Sequence, residues 1–326
     1  MQGGGRDGEH LCQEQLAAFG QRWHTVDLTT MSGMIFDIDT FAVHDGPGIR
    51  MTVYFKGCPL RCAWCHSPES QAREPQLIFA RERCILCGAC VMACSQGVHS
   101  LVDGKHILAW ELCRACGQCV ATCASRALQM RGEHVTAAEI VRRAIRMKPF
   151  FEHSGGGITL TGGEVTMQPD FAVAILRACQ AEGIHTAIET CGACAWPTLQ
   201  RLLPHTDLVL YDLKLVDDRL HRRWTGASNR IILENLAQLA REREVQVRVP
   251  LIPGITDSTE NLGAVLDLMA DLGLNSLALL PYNEAAGAKY EWLERHYAIE
   301  GQRQSEEDLQ RWVALAAERG IVATIS

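Results

Sequence analysis

Three cysteines close together constrain this chain more than any other feature. Cys58, Cys62 and Cys65 stand in the stretch Cys58-Pro-Leu-Arg-Cys62-Ala-Trp-Cys65, a C-x3-C-x2-C spacing with no fourth cysteine nearby. A [4Fe–4S] cube normally takes four thiolates. Three leave one iron open, and an open metal position separates a reactive centre from a structural one. Zinc is the competing reading, with His66 as a fourth ligand, but zinc sites usually pair their ligands as C-x2-C with a second pair further along. The spacing favours iron–sulfur.

Two more cysteine runs strengthen that choice. Cys84, Cys87, Cys90 and Cys94 share the spacing C-x2-C-x2-C-x3-C with Cys113, Cys116, Cys119 and Cys123. The repeat of about 29 residues matches two-cluster ferredoxins, in which the fourth cysteine of each run ligates the other cluster. Cys84, Cys87, Cys90 and Cys123 are thus expected to hold one cube, and Cys113, Cys116, Cys119 and Cys94 the second. Two zinc sites are the alternative. Ser95 and Ala124 stand where such runs usually carry proline.

Fifteen cysteines in 326 residues would suggest disulfides in a short secreted chain. Here they cluster at metal-ligand spacings. The first 30 residues hold no apolar run of signal-peptide length, and no stretch approaches the ~18 apolar residues of a membrane span. The expected setting is a reducing, anaerobic cytoplasm. A net charge of −7 argues against a general grip on nucleic acid or anionic membrane. Residues 1–30, polar and glycine-rich at the start, are expected to be a disordered tail. Met31 and Met34 are alternative starts beside Met1.

The remainder alternates strand and helix. After a strand-like run Ile35–Val43, strands are expected at Met51–Phe55, Gly157–Leu160, His185–Ile188, Asp207–Leu213, Val245–Ile252 and Ser276–Leu280, with a terminal one at Ile321–Ile325. Helices are expected at Thr136–Met147, Phe171–Ala181, Pro197–Leu203, Ile231–Arg241, Asn261–Leu272 and Glu306–Arg319. This pattern predicts an α/β fold, an incomplete (β/α)6 TIM-like barrel built from residues 31–76 and 132–326. A ferredoxin-like α+β module, residues 77–131, is inserted in its first βα connection. Reactive groups of such barrels gather at the C-terminal ends of strands. Cys58, Gly162-Gly163-Glu164, Glu189, Asp212 with Lys214, and Asn283 all follow strands, and Arg248 lies within one.

These motifs together resemble the radical S-adenosylmethionine enzymes, specifically the glycyl-radical-enzyme activating enzymes. The resemblance rests on His44-Asp45-Gly46-Pro47-Gly48-Ile49-Arg50, the three-cysteine motif with Trp64 and His66, and the stretch from Ser154 to Glu164. Asp212-Leu213-Lys214, the segment Arg248 to Gly254 and the segment Leu280 to Tyr290 also belong to it. It runs from about Ile35 to Ser326, and only part of the family carries the double-cluster insert.

The resemblance implies three [4Fe–4S] clusters, S-adenosylmethionine bound at the open iron, and a partner glycyl radical enzyme whose glycine loop enters the barrel mouth. A flavodoxin or ferredoxin would donate electrons through the insert. Gly162, Gly163 and Glu164 would approach the methionyl amino group, although Glu164 could instead merely cap the following helix. Lys214 and Arg248 would neutralise the methionyl carboxylate, against the plainer reading of rim salt bridges. Glu189 and Asp212 would orient those bases or a monovalent cation, with Val216, Asp217 and Asp218 as further cofactor contacts. Trp64 would lie along the adenine. Asn283 replaces a histidine usual in the family; it can hydrogen-bond but cannot titrate. Cys179 is expected in the core, and Cys191 and Cys194 are expected to pack rather than do redox chemistry. The partner is expected among arylacetate decarboxylases, choline lyases or diol dehydratases. The alternatives are a radical enzyme acting on a small molecule, a ferredoxin-type electron carrier and a zinc-stabilised structural protein.

Overall fold

A computed structural model describes residues 28–326. The expected tail and the alternative start at Met1 lie outside the described residues, apart from a turn at 28–30 whose Leu28 is buried. The strands in chain order are β1 (Ser32–Ala42), β2 (Arg50–Phe55), β3 (Gln76–Phe79), β4 (His99–Val102), β5 (Lys105–Leu108), β6 (Leu128–Arg131) and β7 (Glu133–Thr136). Then follow β8 (Gly157–Gly162), β9 (His185–Thr190), β10 (Leu208–Asp212), β11 (Val245–Pro250), β12 (Ser276–Leu280) and β13 (Val322–Ile325).

Nine of them form one sheet, ordered β13-β12-β11-β10-β9-β8-β2-β1-β7. From β2 to β13 every pairing is parallel. The order has two ends that do not pair with each other, so the sheet is open, as a partial barrel requires and a closed one does not. The six strands expected before the terminal one are present. The antiparallel pairings of β1 with β2 and β7 were not foreseen; β7 is too short and too exposed to carry an alternating apolar signal. Strands β2 and β8 to β12 are almost wholly buried in their centres, as parallel strands covered by helices require.

Helix ends mostly follow local chemistry. Thr136 caps the helix Ala137–Ser154 by accepting from Glu139 N at 3.2 Å. The helix was expected to end at Met147, yet it runs through Pro149 to Ser154, because Phe151 is buried against the core and Gly155 supplies the left-handed terminus. The helix Asp218–Thr225 was not expected, since its sequence is almost entirely polar.

Two motifs of the sequence prove to be one structural unit. Ser154 Oγ accepts from Ile49 N at 2.9 Å, and a Cβ on Gly156 would sit 1.8 Å from the Ile49 carbonyl oxygen. Arg50 is fully buried, donating to Thr159 Oγ1, to the Ile158 carbonyl at 2.6 Å and to the Pro47 carbonyl at 3.2 Å. Gly156→Ala is therefore expected to cost roughly 3 kcal/mol or more, read as a lowered midpoint in thermal or urea unfolding; an unchanged midpoint would contradict this packing.

Residues 76–131 enclose a hydrophobic cluster of their own, including Leu77, Phe79, Val98, Leu108 and Leu128, separate from the barrel core. Strand β3 pairs with β6 and β4 with β5. The module is tied to the segment after β12: Phe79 N donates to the Trp292 carbonyl at 2.8 Å, and Glu294 accepts from Arg81 at 2.6 Å and Trp110 Nε1 at 2.7 Å.

Candidate active site

The loop carrying Cys58, Cys62 and Cys65 leaves β2 and is pinned from several sides. Gly57 N donates to the Ser70 carbonyl at 2.7 Å, Arg61 N to Thr225 at 2.7 Å and Ala63 N to Trp224 at 2.9 Å. Tyr290 Oη reaches the Ala63 carbonyl at 3.3 Å. The three thiols lie within electrostatic reach of one another and of Lys214. Burial pushes Cys62 up to about 12 and Cys65 up to about 11. Cys58 is held below its ordinary range, first by a hydrogen bond with Cys191. Because metal binds thiolates, loading this loop must expel protons.

Next to the thiols, the C-terminal ends of β9, β10 and β11 bring charges together. Arg248 Nη1 stands 3.3 Å from Glu189 Oε2 and 4.0 Å from Asp45 Oδ1, and its Nε is 3.8 Å from Asp212 Oδ1. Lys214 Nζ is 3.2 Å from Asp212 Oδ2. Burial works against the charge on Lys214, but Asp212 and the Cys62 and Cys191 thiols together outweigh it and the ammonium is held. Arg248 is likewise held charged against its burial by Glu189, Asp212 and Asp45. Asp212 Oδ1 and Arg248 Nε are buried with no hydrogen-bond partner. The network thus keeps one donor, Arg248 Nε, for a carboxylate and one acceptor, Asp212 Oδ1, for an ammonium, a pair that fits the two ends of an amino acid.

Burial pushes Glu189 up to about 7, opposed by Arg248. An acid raised in the folded state binds more protons there than when unfolded. Its contribution to stability is therefore present below its ordinary range and fades as pH rises towards 7. Glu189→Gln is expected to flatten the metal-free chain's stability profile between about pH 4.5 and 7; a steeper profile in urea titrations would contradict this.

Glu164 takes up the capping role of the two expected for it, accepting from Thr166 N at the head of the turn that follows. It is 1% exposed, and its carboxylate takes five hydrogen bonds from the chain itself. Oε1 accepts from Thr166 N, Thr166 Oγ1 and Thr190 Oγ1, and Oε2 from Cys191 N and Cys191 Sγ. It ties the loop after β8 to the end of β9. The two glycines before it also answer to packing. A Cβ on Gly162 would lie 2.4 Å from Phe55 N, and one on Gly163 2.3 Å from the Gly57 carbonyl oxygen. They let the loop after β8 lie directly against the chain that leads into Cys58.

Other expected contacts also carry structural duties. Trp64 is 4% exposed within the main core, so its indole offers no open face. His66 is exposed. Val216 N donates to Asn261 Oδ1 at 3.1 Å. Asp217 caps the helix Asp218–Thr225 by accepting from Leu220 N at 2.7 Å. Asp218 accepts from Ser228 Oγ, Asn229 N and Arg222 Nε, occupying both its oxygens. Asn283 is exposed and accepts from Ala285 N at 3.0 Å. Cys179 is fully buried in the core, and burial lifts Cys194 to about 11.

In the inserted module each of two hollows is lined by four cysteines. One has Cys94, Cys113, Cys116 and Cys119. The other has Cys84, Cys87, Cys90 and Cys123. These are the exchanged sets that the repeat predicts. The same left-handed turns recur in both, at Leu86 and Gly88 and at Ala115 and Gly117.

Sequence reasoning missed four residues here. Asp45 belongs to the Arg248 network, and only its place in a quoted motif hinted at it. Cys191 contacts both Cys58 and Glu164. His99 and His106 are buried between the two hollows, paired at 3.0 Å; burial lowers His99 to about 4 and also lowers His106. Their only signal was a pair of strands around the turn Asp103-Gly104.

Residues 52–266 match the radical SAM superfamily. The choline trimethylamine-lyase activating enzyme of Oleidesulfovibrio alaskensis is 42% identical over 85% of this chain and 93% of its own length. The trans-4-hydroxy-L-proline dehydratase activating enzyme of Clostridioides difficile is 40% identical, over 86% and 94%. The isethionate sulfite-lyase activating enzyme of Nitratidesulfovibrio vulgaris is 39% identical, over 88% and 96%. Among solved structures, Streptococcus suis SuiB bound to the precursor peptide SuiA superposes with a TM-score of 0.55 at 13% identity, over 89% of this chain and 50% of SuiB, a likeness of fold alone. No helix among the described residues is long and apolar enough to cross a membrane.

Proposed function

The chain belongs to the radical S-adenosylmethionine superfamily and, within it, to the activating enzymes of glycyl radical enzymes, and from that membership we infer how its own residues divide the work. Such an enzyme cleaves S-adenosylmethionine reductively and removes a hydrogen atom from a backbone glycine of its partner, leaving 5′-deoxyadenosine and a glycyl radical. A [4Fe–4S] cluster, when bound, supplies the single electron that breaks the sulfonium S–C5′ bond.

Cys58, Cys62 and Cys65 hold that cluster. Lys214 and Arg248 meet the methionyl carboxylate, and Asp212, Glu189 and Asp45 orient the two cations. Such pre-aligned charges bind by charge-assisted hydrogen bonds with little reorganisation. The observation that carries this reading is the position of Lys214, paired with Asp212 on one side and within reach of the Cys62 and Cys191 thiols on the other. Glu164, Gly162 and Gly163 shape the loop that faces Cys58, and Glu164 acts through Cys191 and Thr190 rather than on the ligand.

The inserted module holds two further [4Fe–4S] clusters and passes electrons from a flavodoxin or ferredoxin. Support comes from the two four-cysteine hollows and from the segment Tyr290–Glu294, which touches both the Cys58–Cys65 loop and the module. The partner is a glycyl radical enzyme of the lyase or dehydratase kind acted on by the similar activators, in an anaerobic cytoplasm.

The test is anaerobic. The reconstituted chain with reductant should form 5′-deoxyadenosine, and with the right glycyl radical enzyme it should raise a glycyl radical doublet in EPR. A panel of such enzymes identifies the partner. Formation of 5′-deoxyadenosine with no radical on any of them would overturn the activating role. Replacing Cys84 and Cys113 together is expected to abolish activation by the protein donor; full activation would refute the relay.

A further inference from the structure

His99 and His106 have no part in the reading above, yet they stand between the two hollows of the module. His99 lines the hollow of Cys94, Cys113, Cys116 and Cys119. His106 lines that of Cys84, Cys87, Cys90 and Cys123. Strands β4 and β5 bring them together across the tight turn Asp103-Gly104, where both residues have positive φ. His99 Nδ1 is 3.0 Å from His106 Nε2. His106 Nδ1 is 3.5 Å from Cys84 Sγ, and its Nε2 is 3.6 Å from Cys90 Sγ.

With Cys84 and Cys90 as cluster thiolates, which only accept, a neutral His106 can donate to one of them and not both, so two arrangements of protons compete. In the first, His106 Nδ1 carries the proton and donates to Cys84 Sγ. In a neutral ring Nε2 is then bare and accepts from His99 Nδ1–H. That leaves His99 Nε2 bare as well, and it is the nitrogen found buried without a partner. The opposite arrangement, with the proton on His106 Nε2, makes His99 Nδ1 the acceptor and strands a proton on buried His99 Nε2; a bare nitrogen is easier to leave unpaired than a stranded N–H, so the first arrangement is favoured. The pair is therefore directional, with a donor at the first hollow and none at the second.

We propose that the His99–His106 pair is a polar bridge between the two cluster sites, in which His106 donates to the Cys84 sulfur and so raises the reduction potential of that cluster, setting it apart from its repeat-related neighbour. A hydrogen bond to a ligand sulfur favours the reduced, more negative cluster and lifts its potential. His106 acts through Cys84, as a positioning and tuning residue. His99 fixes the His106 tautomer. The proposal rests on the reading that the module holds two clusters.

The test uses full-length holoprotein labelled with ¹⁵N at histidine. In the reduced native protein, pulsed EPR of the module's clusters should show a weak coupling to a histidine nitrogen. That coupling should vanish in His106→Leu and survive in His99→Leu. In redox titrations, His106→Leu should move one module cluster to a more negative potential and leave the other in place, while His106→Gln, which keeps an N–H donor, should move it less. Native protein with clusters but no histidine coupling would overturn the proposal, as would an unmoved potential in a cluster-replete His106→Leu. If that variant loses its clusters, the native measurement decides alone. Iron content separates the two levels: about twelve irons per chain without coupling defeats this bridge only. About four irons, or tightly held zinc lost on changing His106, defeats the two-cluster reading beneath it as well.

Discussion

Cys62→Ala is expected to bring S-adenosylmethionine cleavage down to the uncatalysed background while the inserted module keeps its iron. Removing one of three thiolates leaves two, and no fourth cysteine stands in that loop to replace it. Cys191 is the nearest substitute, but its thiol is engaged with Glu164 and Cys58. With the two proposed module clusters in place, iron per chain should fall by about a third. The measurement is 5′-deoxyadenosine formed under dithionite, set beside iron analysis. Retained cleavage at more than a few per cent of the unaltered rate would show that the cofactor is reduced elsewhere. The charge network should survive the change, because Lys214, Asp212 and Arg248 pair among themselves.

Glu164→Ala is expected to have the largest effect on stability. The substitution strands Thr190 Oγ1, Cys191 N and Thr166 N in a site that is 1% exposed. Loss of a buried, charged acceptor with its donors left unpaired costs roughly 3–5 kcal/mol. Glu164→Gln should also be destabilised, because its amide nitrogen would face donors on whichever side it lies. The check is urea unfolding of the metal-free chain beside cofactor affinity of the reconstituted one. If both variants unfold at the unaltered midpoint and only cofactor binding weakens, then Glu164 contacts the ligand and its role as a loop tie is wrong.

The barrel was legible because its strands are buried on both faces. Parallel strands such as Val245–Pro250 and Ser276–Leu280 leave short apolar runs between amphipathic helices, and that alternation survives in the sequence. What escaped notice had no such signature. Strand β7 shows one buried residue in four. The helix Asp218–Thr225 is polar on nearly every face and announces itself only by its caps, Asp217 and Gly226.

For the site, residue type at a strand end located the charge network but did not tell a ligand contact from a structural tie. Glu164 and Lys214 look alike in sequence, each a charge just after a strand. One is saturated by backbone and threonine donors, and the other shares a network with unspent polar atoms. Gly162 and Gly163 were similarly ambiguous: the need for a missing side chain was readable, while the neighbour it spares is the chain's own Phe55–Gly57 backbone. The His99–His106 pair depends on a hairpin register that no local pattern encodes.

The most direct test is EPR of the anaerobically reconstituted chain in which the eight module cysteines are replaced, leaving Cys58, Cys62 and Cys65 as cluster ligands. The reduced protein should show a [4Fe–4S] signal whose line shape changes when S-adenosylmethionine is added, as an open iron requires. A signal indifferent to the cofactor, or zinc bound in place of iron, would contradict the account at its root.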